Sequence, residues 1–247
     1  MTKARAAGMG STVRALRQAQ RPAGTMEGMT DGYSAAQIRA AEAPLLAAGV
    51  PLMQRAAAGL AREVRGLLGR DDARVLVLAG SGDNGADALY AAGHLASAGM
   101  TVSIVRTGDR IHAEALAAAL ASGAAEVAGD EVRRVGASAD LVIDGILGTG
   151  TSASPALRGR AREIVAALLE MAPRVVAVDI PSGIGPDDGS VPDPCVLRAE
   201  VTVTFGGYKA GLLIGPAVAY AGEVRLIDIG LGEELAKVEP VVRVPAA

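Results

Sequence analysis

Val75-Leu-Val-Leu-Ala-Gly80-Ser-Gly-Asp-Asn-Gly85-Ala-Asp87 sets an uninterrupted aliphatic run directly before a glycine-rich turn. A run without polar alternation predicts a strand buried on both faces, as in a parallel sheet covered by helices. An Ala/Leu-rich stretch of helical length follows at 86–98, and the pattern then repeats. Val102–Val105 reads as a strand, 111–124 as a helix, Leu141–Asp144 as a strand, and the region around 156–171 as a helix. Val175–Asp179, Val201–Phe205 and Val224–Ile229 are further strands. This alternation predicts βαβ units. The expected fold is α/β, a Rossmann-like three-layer sandwich with a mainly parallel central sheet.

Upstream, Ser34-Ala-Ala-Gln37 has the form of a capping box ahead of Ile38, Ala41, Leu45 and Leu46, which share one helical face. A second helix is expected from Pro51, carrying Met53, Ala57, Leu60, Val64 and Leu67 to a stop near Gly69. Residues 1–28 lack the continuous apolar core of a secretory signal and read as a disordered extension. Residues 29–247 read as one domain, with no repeat of fixed period.

Half of the 247 residues are hydrophobic but only 2% are aromatic, so Ala, Val, Leu and Ile must build the core, and stacking platforms for nucleic acid are scarce. A net charge of −3 without a basic stripe argues against DNA or anionic lipid and leaves small molecules as partners. No apolar run reaches the roughly 18 residues that span a bilayer. Cys195 stands alone with no histidine nearby and reads as an inert thiol of a reducing compartment.

In doubly wound sheets, ligands bind beyond the carboxyl ends of the strands. Gly80 to Asp87 spells a literal G-x-G-x-x-G whose backbone N–H groups suit phosphate. It reads equally well as a tight βα turn using glycine for positive φ, but Asp83, Asn84 and Asp87 supply more side-chain oxygens than a turn needs. A dinucleotide fingerprint also wants an acidic residue about 20 positions on, where Arg106 stands. Asp144-Gly-Ile-Leu-Gly-Thr-Gly-Thr-Ser152 and Val178-Asp-Ile-Pro-Ser-Gly183 each close a strand with a carboxylate. Either alone is as well explained by turn capping; together the three turns predict a convergent cleft.

These segments resemble the YjeF N-terminal domain family, the NAD(P)H-hydrate epimerases, over roughly residues 35–232. Asp83-Asn84-Gly85-Ala86-Asp87 matches the family's Asn-Asn-Gly-Gly-Asp, Asp144 to Gly150 its Asp-x-x-x-Gly-x-Gly, and Val178 to Gly183 its Val-Asp-Ile-Pro-Ser-Gly. Thr204 to Gly211 resembles its Thr-Phe-Gly-x-x-Lys-x-Gly, and Glu223 to Gly230 its closing strand. The resemblance implies an isomerase that interconverts the R and S forms of NADH or NADPH hydrated at C6 of the nicotinamide ring (NADHX, NADPHX), a step of cofactor repair. It implies Asp179 as the acid/base and Lys209 as its helper. Asp83, Asn84, Gly85, Ala86 and Asp87, with Gly148, Thr149, Gly150, Thr151, Ser152, Ala153, Ser154 and Asp179, would hold the substrate. Asn84, Asp144 and Ser182 would hold one potassium ion per subunit, hard oxygen donors that suit such an ion and not zinc. A cytoplasmic homodimer is implied, partnered by an ADP/ATP-dependent NAD(P)HX dehydratase, free or fused. Asp179→Ala is expected to remove activity without unfolding the chain.

The sequence departs from the family at Asp83, Ala86 and Ala88, where Asn, Gly and Gly are usual, so either the backbone there is not left-handed or the loop is altered. His94 and His112 fall inside predicted helices and read as structural. Two rivals stay open: a nicotinamide dehydrogenase, which would want an acidic residue in place of Arg106, and a non-catalytic nucleotide-binding or scaffold module of the same fold.

Overall fold

The computed structural model describes residues 28–150 and 154–246. Thr151, Ser152 and Ala153 of the anticipated substrate loop, and all but Gly28 of the stretch expected to be a disordered extension, lie outside them. β1 (Met29–Tyr33) leads into α1 (Ala35–Ala47), closed by the predicted capping box. Gln37 N–H donates to Ser34 Oγ at 3.2 Å, and Ser34 N–H donates to Gln37 Oε1 at 2.9 Å. α2 (Leu52–Leu68) follows Pro51 and ends on Gly69 in the left-handed conformation.

The alternating part is β2 (Arg74–Ala79), α3 (Asp83–Ser97), β3 (Thr101–Arg106), α4 (Ala113–Ala121), β4 (Ala125–Val127), α5 (Val132–Ser138), β5 (Leu141–Gly145), α6 (Gly159–Leu169), β6 (Val175–Val178) and β7 (Val201–Phe205). Then come β8 (Tyr208–Lys209), α7 (Ala210–Leu213), α8 (Val218–Ala221), β9 (Glu223–Ile227), α9 (Gly232–Leu235) and β10 (Val242–Pro245). The central sheet has seven parallel strands in the order β4-β3-β2-β5-β6-β7-β9. Strand order reverses between β2 and β5, the position at which doubly wound sheets bind ligands.

β2 is buried on both faces, as its unbroken aliphatic run requires. Val75, Val77 and Ala79 pack with Leu60 and Val64 of α2 and Leu89 and Leu95 of α3. Leu76 and Leu78 pack on the opposite side with Val135 of α5 and Ile164, Val165 and Leu168 of α6. Each fully buried leucine contributes roughly 1.5–3 kcal/mol. With almost no aromatic volume available, α3 closes on its neighbours through small residues: Ala86, Ala88, Ala91 and Ala92 have no exposed surface, and the helix is flanked by α2 and α4.

A second sheet, unanticipated from the sequence, has the order β10-β1-β8. β1 pairs antiparallel with β10 and parallel with β8, setting Tyr33 opposite Lys209. His112 proves to be the residue before α4 rather than within it, its Nδ1 accepting from Ala115 N–H at 3.1 Å.

Candidate active site

Four chain segments meet at the carboxyl edge of the sheet: the turn after β2, and the loops after β5, β6 and β7. The turn is shorter than its glycine pattern suggests, because α3 already begins at Asp83. Neither Gly80, Gly82 nor Gly85 has positive φ. Glycine serves close approach here: a Cβ on Gly85 would lie 2.1 Å from Gly80 O, and one on Gly80 would lie 1.9 Å from Ile146 O. Ala86 and Ala88, being helical, therefore fit where the family often has glycine. Ala88 lies against Gly145, whose own Cβ would come within 2.4 Å of the Ala88 methyl. The first intrahelical bond runs from Ala86 N–H to Gly82 O, which leaves the N–H groups of Asp83, Asn84 and Gly85 at the helix's positive end.

Asp144, the penultimate residue of β5, is buried. Its Oδ2 accepts from Ser182 N–H at 2.9 Å, and its Oδ1 accepts from Ser182 Oγ at 2.6 Å and from Ile146 N–H at 3.3 Å. Leu147 N–H donates to Ser182 Oγ at 2.8 Å, and Asn84 Nδ2 donates to Leu147 O at 3.0 Å. The three residues assigned to an ion thus converge on one loop. Burial raises the Asp144 carboxyl above its usual range, while the Ser182 and Ile146 bonds act the other way.

Asp179 follows β6 directly and is held at φ 65°, a left-handed conformation that an Asp tolerates better than most side chains but that still costs about 1 kcal/mol or more. Thr204 Oγ1 donates to its Oδ1 at 3.1 Å and Phe205 N–H at 3.4 Å, and Lys209 Nζ donates to the same oxygen. Among the described residues no bond ends on Oδ2. Lys209, which the sequence leaves open as a solvated surface lysine, is 1% exposed. Its ammonium also donates to Phe205 O at 2.8 Å and Thr204 Oγ1 at 3.1 Å. All three of its protons are thereby used.

Asp87 stands one turn into α3, on the face of Asp83. Its Oδ1 is closed to solvent and has no hydrogen-bond partner among the described residues. Burial pushes this carboxyl well above its usual range, and the charges of Asp179, Asp83 and Glu42 push the same way against Lys209.

Glu42 is a group the sequence reading missed. α1 lies over the rim, tied down where Ala35 N–H donates to Asp187 Oδ1 at 2.6 Å and Arg39 Nη1 donates to Thr149 O at 3.2 Å. Burial, joined by Asp179 and Asp83, raises the Glu42 carboxyl, with Lys209 and Arg39 opposing. Its position four residues after buried Ile38, on the inward stripe of α1, is the signal that could have found it.

Gly148 reaches this region as expected, a Cβ there lying 3.1 Å from Asn84. Thr149 is held by Arg39 as above, and Gly150 and Ser154 are exposed. Arg106, at the carboxyl end of β3, forks onto Glu126, with Nη2 to Oε2 at 3.0 Å, so the Glu126 carboxylate is engaged by a cation.

The model of the YjeF-related protein N-terminus family matches residues 49–211. A protein of Clavibacter michiganensis named NAD(P)H-hydrate epimerase is 55% identical over 225 residues, covering 87% of this chain and 96% of its own length. One of the same name from Microbacterium testaceum is 50% identical, with 85% and 82% covered. The bifunctional NAD(P)H-hydrate repair enzyme Nnr of Mycobacterium tuberculosis is 46% identical over 81% of this chain, matching 41% of its own. A yeast protein of known crystal structure shares the fold at a TM-score of 0.63 and 20% identity, covering 73% of this chain and 82% of that one. With that model matched over most of the described chain and relatives at half identity or more along nearly their whole lengths, the chain belongs to the YjeF-related protein N-terminus family.

Proposed function

We infer that this chain is an NAD(P)H-hydrate epimerase, an isomerase that interconverts the R and S hydrates of NADH and NADPH. The observation that carries the reading is Asp179: a strained, buried carboxylate with three donors on one oxygen and, among the described residues, none on the other. Epimerisation at C6 requires the hydroxyl to leave and return on the opposite face, so a group that gives and recovers a proton must stand beside that oxygen. Asp179 Oδ2 suits this role. Lys209 holds Oδ1 and balances its charge, acting on the reaction through Asp179. The N–H groups at the start of α3 and the backbone of Gly148, Thr149 and Gly150 suit the ribose and pyrophosphate, supplying orientation.

The same reading assigns a potassium ion to Asn84, Asp144 and Ser182. The donor set fits: all are hard oxygens, Asn84 Oδ1 is left over by the bond from Nδ2, and Asp144 is a buried carboxylate with no cationic side chain among its partners. When bound, the ion would offset the Asp144 charge and hold three loops in register. Among the described residues no helix is long and apolar enough to cross a membrane; a cytoplasmic homodimer is the setting we propose. The bifunctional relatives support a dehydratase as the functional partner.

The test mixes the hydrate epimers with a stereospecific dehydratase and follows the half that reacts slowly. Addition of this protein is expected to make that half react at once. A slow half that stays slow would overturn the reading, and sustained alcohol oxidation with NAD(P) would replace it by a dehydrogenase.

A further inference from the structure

We propose that Asp87 is a second catalytic carboxyl, the proton donor that turns the C6 hydroxyl into a leaving water, while Asp179 takes the proton from the water that returns. The inference rests on the epimerase reading and assigns the two proton transfers within it. α3 packs against β5 and β6, and Asp179 is the first residue beyond β6. The two carboxyls, one on a helix and one beyond a strand end, therefore lie near enough for the Asp179 charge to act on Asp87.

Their surroundings differ in kind. Asp179 has an ammonium and two neutral donors on Oδ1. Asp87 differs: its Oδ1 is shut from water and has no partner among the described residues, a state that buried side chains seldom tolerate outside functional sites. The charged groups facing it are Asp83 on its own helix, Glu42 from α1, Asp179 beyond β6 and Lys209 from β8. Three of the four are acidic. A carboxyl so placed keeps its proton to higher pH. A carboxyl whose surroundings hold its proton, beside one whose Oδ1 already takes three donors, divides acid and base roles with it.

The step balances. The Asp87 proton passes to the C6 oxygen, the C–O bond breaks with its electron pair leaving as water, and the ring nitrogen stabilises the cation that remains. Water adds to the opposite face, its proton going to Asp179. Transfer through solvent from Asp179 to Asp87 resets the pair, with no oxidant or reductant consumed.

Asp87→Asn has the shape of the neutral acid but no transferable proton. It is expected to lower kcat by about 10²-fold or more, leave KM near the wild-type value, and remove the alkaline limb of the kcat–pH profile. A second readout needs no substrate. A carboxyl that holds its proton more tightly folded than unfolded gives the native state more bound protons in the window between the two pKa values, so stability falls as pH rises through it. Wild-type Tm should therefore fall relative to Asp87→Asn as pH climbs from the ordinary carboxylate range toward neutrality. A constant difference across that window would overturn the protonated state and the proposal. An active wild type with an equally fast Asp87→Asn variant at every pH would overturn the donor role alone. A wild type without epimerase activity would overturn the reading beneath it as well.

Discussion

Two buried polar clusters lie side by side at the carboxyl edge of the sheet, and they are built on opposite principles. Around Asp144 both carboxylate oxygens accept bonds, the donors come from its own loop and from the loop after β6, and no charged side chain takes part. Around Asp179 the donors crowd one oxygen, a lysine is buried with it, the backbone is left-handed, and a neighbouring carboxyl has an unpartnered oxygen. The first cluster ties loops together around a carboxylate that no cationic side chain balances. The second holds hydrogen-bonding capacity that the described residues leave unsatisfied, and the proposed function puts it to use. Satisfaction marks the support, and its absence marks the chemistry.

The contrast breaks if the ion pair proves to be ordinary surface electrostatics. Lys209→Met would leave Asp179 buried without its cation, and removal of one member of such a pair costs about 3–5 kcal/mol. Urea unfolding should register that loss, and adding Asp179→Asn to the same chain should return most of it. A loss under about 1 kcal/mol, the ceiling for an exposed pair, would place Lys209 outside a true buried cluster.

A smaller effect sharpens the account of the Asp144 cluster. Potassium at a hundredfold excess over its Kd should stabilise the wild type by about 2.7 kcal/mol relative to a large organic cation. Asp144→Asn should abolish that increment while Asp179→Asn retains it. An equal response in all three proteins would separate Asp144 from any ion.

Smallest of all is Ala88→Gly, which restores the residue usual in the family. It should cost about 1 kcal/mol through loss of helix propensity, with the potassium increment unchanged. A larger loss would mean that the Ala88 methyl does more than fill the space over Gly145.

The alternation of aliphatic runs with Ala-rich stretches made the parallel sheet legible, because strands covered on both faces need no polar partner residue to be recognised. The strands β1 and β10 were not legible: β1 pairs with β10 and with β8 across a sequence separation that no local pattern records. The polar turns were found through their residues, but their physics was not. Gly80 and Gly85 looked like positions of positive φ and are instead points of close backbone contact. Lys209 could not be read as buried, since what makes burial tolerable is a carboxylate thirty positions away that folding brings to it. The same burial revises the expectation that Asp179→Ala would leave folding untouched: alanine would strand the ammonium and fit the left-handed backbone poorly. Asparagine keeps the shape and tolerates that conformation.

Asp179→Asn is therefore the variant on which the catalytic assignment rests, and its rate of epimer interconversion is the measurement. With potassium present and a folded chain verified by its thermal transition, the rate should fall by about 10²-fold or more. A folded Asp179→Asn protein that interconverts the hydrates at the wild-type rate would contradict the assignment of proton transfer to this cluster.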